Sequence, residues 1–276
     1  MKNYPLVTIL TTSLNRVNFL EKAINSVLEQ DYPNIEHLII DGGSTDGTID
    51  LLKKYKERYT NKGYVVYWIS EKDSGQAEAE NKGFRLAKGK FITILNSDDY
   101  LKPNGVMKLV EVFLTNPDID ITYSNHESIS ESGNEEISQF RKYTLEDIIY
   151  KGYFIPQAGC MFRKQLINDV GLLDESLHHA FEQDFFIRCL KKGAKVFYLN
   201  EIVETMLEHG GRETNINFKR AMKEAKIVYF RHGGKRLSRF YLLYLKNCYF
   251  KNFCDTLRKL LPSFYFFVKN IFYKIT

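Results

Sequence analysis

Cysteine is scarce in this chain: 276 residues hold four, Cys160, Cys189, Cys248 and Cys254, and none forms a Cys-x-x-Cys pair. That spacing excludes the common zinc and redox motifs and makes a reducing cytoplasm the simplest setting. Long apolar runs are missing as well, none approaching the ~20 residues that a membrane-spanning helix needs. Met1-Lys2-Asn3-Tyr4-Pro5 leads straight into a strand-like segment without the apolar core of a signal peptide. A cytoplasmic, unexported protein is expected. Internal repeats and low-complexity tracts are also absent. Hydrophobic residues at 44% and charged residues at 26% describe a globular chain, long enough for one large domain or two small ones.

What is present begins with an uneven charge. The net charge is +5, yet from Arg231 onward ten Lys or Arg residues face one acid, Asp255, so that segment carries +9 and the rest −4. Such a segment implies an anionic partner. Before it, the first 125 residues alternate strand-like and helix-like stretches. Strands are expected at Leu6 to Thr12, Ile35 to Asp41, Val65 to Ser70 and Phe91 to Leu95, with helices at Asn18 to Glu29, Thr48 to Tyr59 and Gln76 to Ala87. This βαβ series predicts an α/β fold with a mostly parallel sheet flanked by helices. Sheets of that kind bind ligands at the carboxyl ends of their strands, where Asn15, Asp41, Asp73 and Asp98 all fall. After Ile119 to Ser124 the pattern loosens. Glu131-Ser132-Gly133-Asn134 reads as a hairpin turn, Phe154 to Phe162 and Lys195 to Leu199 as strands, and Glu182 to Lys192 as a helix ending at Gly193.

Asn96-Ser97-Asp98-Asp99 directly follows a buried-looking strand. Adjacent carboxylates there repel each other and resist desolvation, so a divalent cation or ligand donors are expected nearby. An oxygen-only site suits Mg²⁺ or Mn²⁺. The same residue types also make ordinary turns. Asp41 to Thr48 is Gly-rich but is neither GxGxxG nor a Walker loop, since Thr48 stands where that loop needs Lys. A turn with an Asx cap explains Gly42 to Asp46 equally well. Asp41 itself is placed to accept from a nucleobase N–H or a ribose hydroxyl. Lys82 is suited to a phosphate, although an exposed helical Lys is commonly just solvated.

Four segments in order, Thr11-Thr12-Ser13-Leu14-Asn15-Arg16, Ile40 to Thr48, Asp73 to Gly83 and Leu95 to Asp99, resemble the family 2 glycosyltransferases, inverting enzymes of GT-A fold. The resemblance implies transfer of a sugar from a nucleotide diphosphate donor, with UDP favoured, to a glycan or lipid-linked acceptor in polysaccharide biosynthesis. It places Thr11, Ser13, Asn15 and Lys82 at the donor, Asp41 against a uracil-like base, and Asp73 around it. Asp98 would serve ribose or metal, and Asp99 the Mn²⁺ or Mg²⁺ that bridges the diphosphate. Glu182-Gln183-Asp184-Phe185-Phe186-Ile187-Arg188 matches the segment that carries the general base. Register puts Glu182 where the family usually has Asp, and Asp184 is the competing candidate. His209-Gly210-Gly211-Arg212 resembles a downstream segment whose His completes the metal shell or meets the diphosphate. By the same analogy Gln157, Ala158 and Gly159 face the acceptor.

The expected organisation is a catalytic domain over 1–235, divided into a nucleotide-sugar half (1–125) and an acceptor half (126–235). A basic, aromatic-rich helical extension follows over 236–276. That extension suits the anionic inner face of a plasma membrane, and its aromatics are equally suited to packing on the catalytic domain or on a second subunit in a homodimer. No nucleic-acid motif accompanies the basic residues. A sugar nucleotidyltransferase would need a Gly-rich loop bearing Lys or Arg near its start, and none is visible. A catalytically inactive sugar-nucleotide-binding scaffold is the alternative of a different class, suggested by Glu182 in place of Asp.

Overall fold

Short β-branched runs joined by amphipathic helices bury both faces when the strands lie parallel and the helices cover the sheet. The computed structural model, which describes residues 4–210, 217–236, 238, 239, 241 and 244, has that layout. Its first half runs β1 (Val7–Ser13), α1 (Val17–Leu28), β2 (Ile35–Asp41), α2 (Thr48–Lys62), β3 (Val65–Ser70), α3 (Gln76–Leu86) and β4 (Phe91–Ile94), each within a few residues of expectation. β1 pairs in parallel with β2 and β4, and β2 with β3. Every residue of β2 is buried, including Glu36, His37 and Asp41 beside Ile35, Leu38, Ile39 and Ile40, so apolar and polar residues do not alternate along it. α3 lies close on the sheet because Gly83 has no side chain: a Cβ there would sit 2.2 Å from Leu10 Cδ1.

The second half adds β5 (Tyr100–Leu101), α4 (Gly105–Thr115), β6 (Ile121–Ser130), β7 (Glu135–Ser138), α5 (Leu145–Lys151), β8 (Cys160–Arg163), α6 (Gln165–Val170), α7 (Phe181–Lys191), β9 (Val196–Glu208) and α8 (Phe218–Arg231). The strand order is β3-β2-β1-β4-β8-β6-β9-β5, with β7 beside β6. β8 runs antiparallel to both β4 and β6, and so joins the two halves into one sheet. The expected boundary at 125 falls inside β6. The sheet separates two apolar layers, one under α3 and α7 around Leu10, Phe84, Phe162 and Phe185, the other under α1, α2 and α4 around Ile9, Leu20, Phe91 and Val106.

The hairpin at Glu131 to Asn134 forms, closed by the Ser130 amide on the Asn134 carbonyl at 2.9 Å. Phe154 to Phe162 does not form a full strand, and only its end enters β8. Pro156 has no N–H to donate and Gly159 turns with φ 69°, so this stretch loops along a cavity instead. β9 is longer than expected, with 13 residues. It follows β6 through a register shift around Asn125 and also carries β5. Most of the 236–276 segment lies outside the described residues. Of its start, Tyr241 meets Phe230 of α8 at 5.4 Å between ring centroids, and Tyr244 is buried. Among the described residues no helix is long and apolar enough to cross a membrane.

Candidate active site

A cavity of about 780 Å³ opens where β1 and β4 end, between the N-termini of α3 and α7. Ser13 follows from β1, and its buried hydroxyl has no hydrogen-bond partner among the described residues. Arg16, two residues beyond Leu14, brings a guanidinium to the same wall. Thr11 and Asn15 are not brought there. The Thr11 hydroxyl lies within the sheet, 3.0 Å from His37 Nε2. Asn15, held at φ 53°, donates its N–H to Ser44 Oγ (2.7 Å) and accepts from the Thr45 amide (2.9 Å), tying the β1 loop to the Gly-rich loop.

Asp41 is fully buried and serves that loop as well. Its carboxylate accepts from the amides of Gly43 (3.1 Å) and Ser44 (2.8 Å) and from the hydroxyls of Ser44 and Ser70. Three of these donors meet Oδ2 and one meets Oδ1, so Asp41 shapes the loop. Asp46 completes this frame by accepting from Val17 N–H at 2.9 Å and Thr48 N–H at 3.1 Å, which satisfies amides at the starts of both α1 and α2.

Asp73 does line the cavity. It packs over the Gly-rich loop so closely that a Cβ on Gly42 would lie 2.9 Å from its Oδ2. Burial raises its carboxyl above the ordinary value, against the opposing hydrogen bond from Gly75 N–H. Lys82 is turned elsewhere, its ammonium 3.0 Å from Glu71 and 3.1 Å from Glu78. Among the described residues Arg16, not Lys82, is the Lys or Arg that lines the cavity.

The two acids of the pair differ in their surroundings. Asp98 faces the cavity, with Oδ2 3.0 Å from His209 Nε2, while His209 stacks on Phe19 at 4.6 Å. Asp99 is 1% exposed and accepts from Leu207 N–H (3.1 Å) and the Asn96 amide (3.0 Å). Its role is to pin the turn to β9. Of the two, Asp98 is the one that lines the cavity. Among the described residues no three His, Cys, Asp or Glu side chains gather as a metal cluster. An aspartate oxygen beside an imidazole still fits a divalent ion whose remaining shell is water and phosphate oxygen.

Opposite lies the segment expected to supply the base. Glu182 is in the wall beside Gln157 and Ala158, and burial pushes its carboxyl up to about 7, opposed by a hydrogen bond from Gln157. Gly159 stands behind them, packed against Ser124. Asp184 is separated from Glu182. At 2% side-chain exposure it accepts from Arg188 Nε (2.8 Å), Arg231 (3.1 Å) and His232 Nε2 (2.9 Å). Burial disfavours its charge, yet His232, Arg188 and Arg231 together hold it well below the usual carboxylate range. Asp184 clamps α8 onto α7. Two turns earlier on α8, Glu224 accepts the amides of His178 and His179, each at 2.7 Å, and fixes the cavity-lining loop before α7.

Gln76, Glu80, His178 and His179 were not singled out from sequence. Glu80 had a readable signal, since it falls on the same α3 face as Ala77 and Phe84, the face buried against the sheet.

A strand-edge cavity of this shape, walled by an acidic turn on one side and a carboxylate-bearing helix start on the other, defines a GT-A-type α/β protein. The chain belongs to glycosyl transferase family 2, whose sequence model matches residues 8–171. It is 28% identical over 200 residues to the putative teichuronic acid biosynthesis glycosyltransferase TuaG of Bacillus subtilis, covering 71% of this chain and 77% of that one. It is 28% identical over 212 residues to the chondroitin synthase of Escherichia coli, covering 76% of this chain but 30% of the synthase. It spans 65% of the length of an uncharacterized glycosyltransferase of Nostoc, alr2836, at 27% identity over 74% of this chain. The fold matches S. aureus TarS 1-349 in complex with UDP-GlcNAc, with TM-score 0.66, 20% identity, and coverage of 88% of this chain and 73% of that one. It also matches the mannosyltransferase PcManGT of Pyrobaculum calidifontis in complex with GDP-Man and Mn²⁺, with TM-score 0.64, 17% identity, and coverage of 90% and 70%.

Proposed function

We propose that this chain transfers a sugar from a nucleotide diphosphate sugar, UDP-linked in the first instance, to a hydroxyl of a glycan or lipid-linked acceptor, with inversion at the anomeric carbon. The observation that carries this reading is Glu182: a carboxylate poised near neutrality in one wall of a cavity whose other wall holds Asp73 and Asp98. A general base works best when its pKa lies close to the operating pH. In the reaction Glu182 takes the proton of the acceptor hydroxyl as that oxygen bonds to the anomeric carbon. The bond to the diphosphate breaks, and its electron pair leaves with the phosphate oxygen. Arg16 offsets charge on that leaving group, Ser13 offers its hydroxyl to the donor, and Asp73 encloses the nucleoside. Asp98 and His209 would hold a divalent cation, which when bound neutralises the diphosphate.

UDP is supported by the TarS complex, Mn²⁺ by the mannosyltransferase complex, and a polysaccharide product by the names of the relatives. The basic 236–276 segment suits an anionic membrane surface bearing the acceptor. Incubation with a panel of UDP- and GDP-sugars, Mn²⁺ and glycan acceptors tests the proposal. Inverted product formed by the native chain and lost in Glu182→Gln supports it. Donor binding with neither transfer nor hydrolysis across the panel would instead establish a sugar-nucleotide-binding scaffold.

A further inference from the structure

Glu80 is a glutamate in the interior of the protein, 0% exposed. Its Oε1 accepts from two side-chain amides, Gln76 Nε2 at 2.9 Å and Gln157 Nε2 at 3.0 Å. Its Oε2 is buried and has no hydrogen-bond partner among the described residues. Gln157 lines the cavity together with Glu182, and its amide opposes the rise of the Glu182 carboxyl, so one side chain stands between the two carboxyl groups. Among the described residues the ionisable group that bears on Glu80 is Glu182 from α7. Beyond it lie the Cys160 thiol of β8, on which Glu182 acts, and Glu204 of β9, which accepts Gly159 N–H at 2.8 Å. All of these are acids. On the cavity side of Glu182 the lining also carries Arg16, His126, His178 and His179, whereas Glu80 lies deeper; of two neighbouring carboxyls that share one proton, the more deeply buried keeps it.

We propose that Glu80 is a positioning residue: it retains its proton and, through Gln157, holds Glu182 ionised and oriented toward the acceptor hydroxyl. This rests on Glu182 as the base, and it explains how a charged base persists in a buried acidic pocket. Burial and Glu182 both push the Glu80 carboxyl well up, in the direction required.

The test compares Glu80→Ala, Glu80→Gln and Glu182→Gln in the full chain. Infrared spectroscopy on either side of neutrality should show a protonated carboxylic acid in the native protein that Glu80→Gln lacks. Glu80→Ala frees Gln157 and should lower kcat on the order of 10- to 100-fold with the donor KM unchanged. Glu80→Gln, which keeps the acceptor oxygen and supplies a neutral donor, should restore most of that loss and keep the acid limb of the pH profile in place. Two results overturn the assignment: no protonated band at neutral pH, or Glu80→Gln as inactive as Glu182→Gln. If Glu182→Gln transfers normally, the base reading falls and takes the positioning role with it. A missing band together with an inactive Glu182→Gln overturns Glu80 alone.

Discussion

At the scale of single residues, the functional weight falls on carboxylates that differ in what already surrounds them. Glu182→Gln should cut transfer by about 10²- to 10⁴-fold while leaving donor affinity intact, as read from initial rates and calorimetric titration. Because the base acts ionised, kcat/KM should rise with pH through about 7 and level off above it, and Glu182→Gln should lose that limb. Asp98→Asn should abolish the Mn²⁺ dependence of donor binding. Asp99→Asn should instead lower Tm, since it weakens a buried acceptor of the Leu207 amide. Asp73 and Glu182 were legible in the sequence because their positions at strand and helix ends already aim them at the crevice. Asp41 and Asp99 sit at equally suggestive positions, yet they are buried among donors of their own loops and of neighbouring strands. Whether a carboxylate faces a cavity or is saturated by its own loop depends on donors such as Ser70 and Leu207, and those come from other strands.

At the scale of elements, the short strands of the first half are marked by composition, and the buried β2 and the edge strand β3 both match their expected limits. The loop over 152–157 did not, because Phe154, Ile155 and Pro156 are apolar for the sake of the cavity wall rather than a sheet. Nor did the coupling of α7 to α8 announce itself, since Asp184 meets Arg231 and His232 only after the chain has returned. Asp184→Asn should destabilise the fold on the order of 3 kcal/mol by breaking a buried charge network, with kcat of the folded fraction retained. Thermal melts alongside active-site titration check this. A loss of kcat without a fall in Tm would return Asp184 to the chemistry. The sign with pH follows from its depressed carboxyl: the clamp contributes above the ordinary Asp pKa and is lost as acid protonates it in the folded state. Glu80 acts oppositely. Its raised carboxyl holds a proton that the unfolded chain has released, so stability falls as pH rises above the ordinary Glu range. The Glu80→Gln variant should therefore gain Tm relative to the native chain on the alkaline side, with the gap closing toward acid.

At the scale of the molecule, βαβ order foretold the parallel half and the placement of a site along its edge. The sheet's continuation through β8, β6 and β9 was less visible, because antiparallel and parallel pairings mix there and the register shifts at Asn125. One feature of that continuation bears on how the protein can be cut and recombined. The turn carrying Asp98 and Asp99 is secured by the backbone of Leu207 and the side chain of His209, more than a hundred residues downstream. The family match ends at residue 171, before β9 begins. A fragment trimmed to the matched region should not bind nucleotide, whereas one reaching past residue 209 retains the strand that closes the turn. During synthesis the pocket matures only when β9 emerges, and a chimera exchanging donor specificity has to carry β9 along with β1 to β4 as one inheritable unit.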